Sequence, residues 1–191
     1  MYINPFNTIY YNTNQATSPP FYAMWRRESP NFAAVSGIVT NIEEFNPSPS
    51  YSATGCFKLM SIESKEKGPV NFVISPGTYF VDHNIISVND EITGFYDANA
   101  PSILIYPPQL PAIAIAKNLN GQSVTLDYFN SQLINSTGTL MLNISSSTIV
   151  ILNNDQPFNI YPGDRNLIVV YGPTTKSIPA QTNPYKIIVL C

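Results

Sequence analysis

No dozen-residue stretch of this chain carries the i, i+3, i+4 recurrence of apolar side chains that a surface helix needs. The chain is cut instead by 17 prolines and 9 glycines. Proline removes a backbone donor and clashes inside a helix. Between these breaks lie short runs rich in Val, Ile, Phe, Tyr and Thr, side chains that suit a pleated, half-buried surface. An all-β fold with little or no helix follows. Twelve Tyr and ten Phe set the chain apart from disordered sequences, which are poor in aromatics.

The runs form two series. In the first, strands are expected at 34–45, 55–62, 70–75, 91–97 and 112–116, joined by a polar loop (46–54), a charged turn (63–68), a connector (76–90) and a proline-bearing loop (98–111). In the second, strands are expected at 124–129, 138–145, 147–152, 165–172 and 185–190, with loops between them. Matching the series strand by strand pairs 138–145 with 55–62, and 147–152 with 70–75. Five events in one order, at similar spacings, point to a duplicated architecture. The organisation expected is an arm (1–31), one domain (32–117), a linker within 117–122 and a second domain (122–191). Modules this small bury only about 60% of their chain surface, so packing on each other stabilises both.

Residues 1–25 contain no charged side chain, and Pro5, Pro19 and Pro20 interrupt any helix. The segment reads either as an adhesive arm for a partner or as a tail that packs on its own domain.

The ordered set of signals resembles the oligonucleotide/oligosaccharide-binding (OB) fold. Gly37, Val39 and Ile42 carry the first strand, Phe57-Lys58-Leu59 the second and Val70 to Ile74 the third. Asn89 to Gly94 open the fourth, and Ile113 with Ile115 mark the fifth. Pro162-Gly163-Asp164 stands in the second series where Asn89-Asp90 stands in the first. The resemblance covers about 33–117 and 122–191. It implies two tandem small antiparallel β-barrels, each entered at its fourth strand through a turn that tolerates positive φ. Members of this fold commonly carry a helix between strands three and four, whereas 76–90 and 153–164 show no helical pattern. A simplified variant or another small antiparallel barrel fits that departure. The resemblance also implies that the 98–111 loop lies beside a binding groove.

Chemistry-bearing residues are sparse. A net charge of −3, with nine scattered Lys and Arg, lacks the basic face that holds a phosphate backbone. Cys56 and Cys191 read as two thiols or as a pair. His83 is the only histidine; one imidazole with two cysteines is too few for a usual zinc site unless all three converge. Glu43-Glu44 and Asp90-Glu91 are neighbours on strands and point to opposite faces, so neither makes a facing carboxylate pair. Asn135 and Asn143 open Asn-x-Ser/Thr triplets that chance explains in a chain so rich in these residues. Aromatics are the better clue. Tyr79, Tyr96 and Tyr106, with Lys58, are the candidate ligand contacts, stacking rings on bases or sugars; the competing reading places the rings in the core.

The expected function is non-catalytic binding or assembly, with barrel loops and the aromatic arm contacting protein or carbohydrate, self-association included. The alternative is single-stranded nucleic-acid or oligosaccharide binding through the first domain. No catalytic residue, metal or cofactor is expected. No apolar run reaches membrane-spanning length, and residues 1–25 lack the pattern of a signal peptide, so a cytoplasmic place is expected.

Overall fold

The computed structural model describes residues 30–46, 55–101 and 104–191. The expected arm therefore lies outside the described residues, apart from Pro30 and Asn31. The all-β class holds: thirteen strands and one 3₁₀ turn, Val81–His83, make up the described regular structure. The first half contains β1 (Phe32–Phe45), β2 (Phe57–Ser64), β3 (Gly68–Ile74), β4 (Tyr79–Phe80), β5 (Glu91–Asp97), β6 (Gln109–Pro111) and β7 (Ala114–Lys117). The second contains β8 (Ser123–Phe129), β9 (Leu140–Leu142), β10 (Ile149–Leu152), β11 (Arg165–Tyr171), β12 (Ala180–Thr182) and β13 (Pro184–Leu190).

Strand β1 is long and serves two neighbours. It pairs antiparallel with β5 over Phe32–Ile38 and with β2 from Ile38 onward. The handover sits beside Gly37, where a Cβ would lie 2.5 Å from the Glu63 carbonyl oxygen. Only glycine lets the β2 backbone approach so closely, and the β1–β2 register slips just beyond, between Val39 and Asn41. The β2–β3 hairpin closes through the expected charged turn, with Gly68 at φ 70.

From β3 the chain turns a corner into β4, and β6–β7 lies parallel alongside both arms of this arch. The corner is built from Ser75 and Thr78. The Ser75 N–H donates to Thr78 Oγ1 at 3.0 Å, and that hydroxyl donates to the Ala112 carbonyl at 2.8 Å. Side chains that bond the backbone locally favour such corners over continued ladders.

The second half shows the same pairing order. β8–β11 and β11–β13 are antiparallel, while β10–β13 and β9–β12 are parallel. The Ser145 N–H donates to Thr148 Oγ1 at 3.1 Å, which donates to the Pro184 carbonyl at 2.9 Å. The place of β2 is held here by two isolated bridges, Phe129 to Asn135 and Ile134 to Met141.

These pairings correct three expectations. The two larger sheets are mixed and the two-stranded one is parallel, and their arches stack coil on coil in the manner of a β-solenoid, so the halves are not two separate antiparallel barrels. Short strands β4, β6 and β12 occupy stretches read as connector or loop. The matching of strands also shifts: β9 takes the pairing of β3, not of β2, and β10 takes that of β4. Positive φ at the entry to the fourth expected strand is found, at Asn89 (75°) and Asp164 (57°).

Three apolar clusters hold the fold. One, around Phe72, Ile62, Ile92 and Ile115, fills the first half, and another, around Phe129, Leu167, Ile187 and Val189, fills the second. The third lies between them and draws on both, with Tyr79, Val81, Phe95, Ala114 and Ala116 meeting Leu126, Ile168, Val170 and Ile188. This shared core explains the uninterrupted burial of Ala114–Ala116, Leu167–Val170 and Ile187–Val189: both faces of those strands are covered.

Candidate ligand groove and the junction cluster

A groove of about 670 Å³ runs where the start of β1 approaches β8. Its floor is apolar, from Phe32, Phe95 and Leu126, all members or neighbours of the shared core. Its rim is polar and carries Asn31, Thr125, Tyr128, Asn135 and Asn166; Asp127 is the one charged residue of the lining among the described residues. Tyr128 is 42% exposed, and its hydroxyl donates to Asp164 Oδ1 at 3.2 Å. Desolvation, then the neighbouring Asp164 carboxylate, raise its pKa above the usual tyrosine value. The ring is thus tethered at its hydroxyl beside the groove, a flat apolar surface held at its polar tip.

Asn135 is fixed in a different way. Its Oδ1 accepts the N–H groups of Thr139 (2.8 Å) and Leu140 (2.9 Å), while its Nδ2 donates to Thr137 Oγ1 at 2.9 Å. An amide nitrogen so engaged, on a half-buried residue, is a structural element of the groove wall.

Among the described residues, each strand at the groove has an edge with few partners. Between Phe32 and Gly37, β1 is paired only with β5 among the described residues. The Ala98 N–H donates to the Asn31 carbonyl and the Val39 N–H to the Asp90 carbonyl, which fixes the alternation of the ladder. Phe32, Ala34 and Ser36 consequently turn their backbone groups away from β5. On β8, the edge away from β11 carries only the Phe129–Asn135 bridge.

A second polar cluster lies at the junction of the halves. His83 Nε2 pairs with Asp155 Oδ2 at 2.7 Å, and Asp82 pairs with Lys186. Asp82, His83 and Asp155 all hold positive φ, at 55°, 50° and 64°, conformations that cost non-glycine residues roughly 1 kcal/mol or more each. The Tyr79 ring meets the imidazole edge-on, with centroids 5.7 Å apart. Its hydroxyl is buried without a hydrogen-bond partner among the described residues, and burial, followed by Asp155 and Asp82, pushes its pKa up to about 12. This hydroxyl stays protonated at neutral pH and accepts no proton from the imidazole. Both contacts are partly solvated, so each contributes about 1 kcal/mol at most. Their chemistry suits a clamp between halves.

The four residues singled out from sequence are dispersed. Lys58 is exposed on β2, a strand otherwise largely buried, and is paired with Glu44. Tyr79 is buried in the shared core. Tyr96 packs against the first-half core, and Lys67 Nζ sits 5.8 Å from its ring centroid. Tyr106 is 79% exposed in the loop before β6. None of them lines the groove. The exposed turn position read for His83 is found; its partner Asp155, 72 residues away, was not legible. Cys56 and Cys191 are both exposed free thiols. Among the described residues no helix is long and apolar enough to cross a membrane, and no three His, Cys, Asp or Glu side chains come together to hold a metal.

No protein-family model, curated protein or solved structure matches this chain.

Proposed function

We propose that the chain is a non-catalytic binding or assembly module whose binding surface is the groove between β1 and β8. The observation that carries this reading is the convergence there of an apolar floor with one strand from each half, the start of β1 and β8, whose groove-side edges have few partners among the described residues. N–H and C=O groups without a partner among the described residues match those of an extended peptide, and the ring of Tyr128 offers a side-chain anchor. With Asp127 as the one charge on the lining among the described residues, the surface favours an uncharged protein segment over a nucleic acid, whose phosphates need cations. Neutral carbohydrate is the nearest competitor, since rings and amides serve sugars too.

An OB-like wrap of the first half belongs to the same reading. Its support is that residues 109–117 meet β3 through Gln109–Pro111 and β5 through Ala114–Lys117, carrying the last segment from one side of the sheet to the other.

The test is an NMR titration of the labelled full chain with three probes: a panel of uncharged, Tyr/Asn-rich peptides, a panel of neutral oligosaccharides, and oligothymidylate. Shifts at 32–34, 125–128 and 135–137 with the peptides are expected. Tyr128→Ala should weaken that binding by about 1–2 kcal/mol, roughly tenfold. Silence of the groove toward every peptide sinks the proposal. Salt-sensitive shifts with oligothymidylate around Lys58, Tyr96 and Tyr106 would instead favour nucleic-acid binding.

A further inference from the structure

We propose that Asn120 is a site of spontaneous covalent modification, where the carboxamide closes on the Gly121 backbone nitrogen and water converts it to isoaspartate and aspartate. Asn120-Gly121 is the one place in the chain where asparagine precedes glycine. It lies in the short link between β7 and β8, the passage from the first half to the second. Ring closure asks three things of an asparagine. Its side chain must be able to swing onto the next backbone nitrogen, that N–H must not be bonded elsewhere, and the next residue must have no Cβ in the way.

All three meet at this turn. Residues 119–122 are closed by the Gln122 N–H, which donates to the Leu119 carbonyl at 3.2 Å. That bond spans the Asn120–Gly121 peptide and leaves the Gly121 N–H out of it. Gly121 holds φ 75 at the third position of the turn, where positive φ calls for glycine. Among the described residues, neither the Gly121 N–H nor the Asn120 carboxamide makes a hydrogen bond, and both residues are exposed. A Cβ added to Gly121 would meet nothing within 4 Å among them, so a closed imide ring has room.

Two other asparagines lack this freedom. The Asn118 N–H donates to the Glu91 carbonyl at 2.8 Å, its Oδ1 accepts from the Thr93 hydroxyl at 2.8 Å, and the bulky Leu119 follows it. Asn135 precedes the small Ser136, but its Oδ1 accepts the N–H groups of Thr139 and Leu140 while its Nδ2 donates to Thr137. Turning either carboxamide onto the chain breaks bonds that hold it. Turning that of Asn120 breaks none among the described residues.

The Gly121 nitrogen, its proton lost to base, attacks Cγ of Asn120. The new N–Cγ bond forms as the Cγ–Nδ2 bond breaks, and Nδ2 takes up a proton and leaves as ammonia. Water then opens the succinimide. Opening at Cγ restores the peptide and leaves aspartate; opening at the backbone carbonyl carbon routes the main chain through the side chain as isoaspartate. Either product has exchanged an ammonia for a water and gained a negative charge. The flanks are pinned by Asn118 and by Ser123, which pairs with Tyr171 on β11, so the extra main-chain atom of isoaspartate is confined to 119–122. The halves stay joined by their shared core.

Ageing of the full chain in warm, mildly alkaline buffer, folded and in urea, is the test, read by intact mass and peptide mapping. In the folded chain the peptide carrying 118–122 is expected to change first, with isoaspartate the larger product. Its conversion should quicken as pH rises, because the attacking nitrogen must lose a proton. Asn120→Gln, whose closure needs a larger ring, should abolish the early acidic species, and Asn135 should stay intact until urea releases its bonds. The far-UV spectrum of the aged chain should match that of the fresh one. Survival of Asn120 in the folded chain, whatever its fate in urea, overturns the proposal. So does conversion of Asn118 or Asn135 in step with it while the chain is folded.

Discussion

The Tyr79 hydroxyl is buried at the junction of the halves with no partner among the described residues. Leaving a polar group in that state costs about 1–3 kcal/mol. Tyr79→Phe keeps the ring in the shared core and deletes the orphan group, so it should stabilise the chain by about 1 kcal/mol at neutral pH. The pH dependence follows from linkage. The folded chain holds this proton more tightly, with the pKa moved from 10.0 to about 12. The stabilisation is therefore fully present below pH 10 and is lost as pH climbs through 12. Urea unfolding of both proteins at neutral and strongly alkaline pH checks this, and the advantage of the variant should widen on the alkaline side. An equal or smaller advantage there would mean that the hydroxyl finds a partner in solution.

The Ser75–Thr78 and Ser145–Thr148 corners are the elements that turn strands into arches. Each threonine hydroxyl accepts a backbone N–H and donates to a carbonyl of the stacked arch. Valine has nearly the same shape and neither function. Thr78→Val and Thr148→Val should each cost about 1–2 kcal/mol, the first somewhat more because Thr78 is the more buried. Equilibrium denaturation of the two variants decides it; a cost under a few tenths for both would show that the corners stand without the hydroxyls. Neither corner is visible in a hydrophobic pattern. The same holds for much of the topology. β5 was legible to the residue, because Asn89 on one side and Asn99 and Pro101 on the other fence a short strand-favouring run there. β4, β6 and β12 have only two or three residues, too few to show a period. Parallel pairs such as β3–β6 join segments that are distant along the chain, and no local signal encodes them. The misaligned strands of the second half share that origin: β2 shrank to two bridges, and matching by order alone could not see the gap. The groove was hidden for the same reason, since Phe32, Phe95, Leu126 and Asn135 meet only when both halves are folded.

At the scale of the molecule, the shared core sets how the chain comes apart. Two modules joined only by a linker would melt in two steps. Here Ile168 and Ile188 of the second half and Phe95, Ala114 and Ala116 of the first belong to one buried cluster, and the strands that carry them also face the private cores. Opening either half exposes apolar surface on the other. Ile168→Ala leaves a cavity at the centre of that cluster and should cost about 2–5 kcal/mol. The cost should fall on both halves together, because the clamp residues His83–Asp155 and Asp82–Lys186 bridge the junction only at its solvated margin. Native-state hydrogen exchange reads this directly. Amides of β2 and β3 should lose protection in step with those of β11 and β13, since their opening free energies are tied to one cooperative unit. Protection of β2 and β3 that survives Ile168→Ala unchanged would make the first half an independent folding unit, and the junction would then be a contact between domains instead of a core.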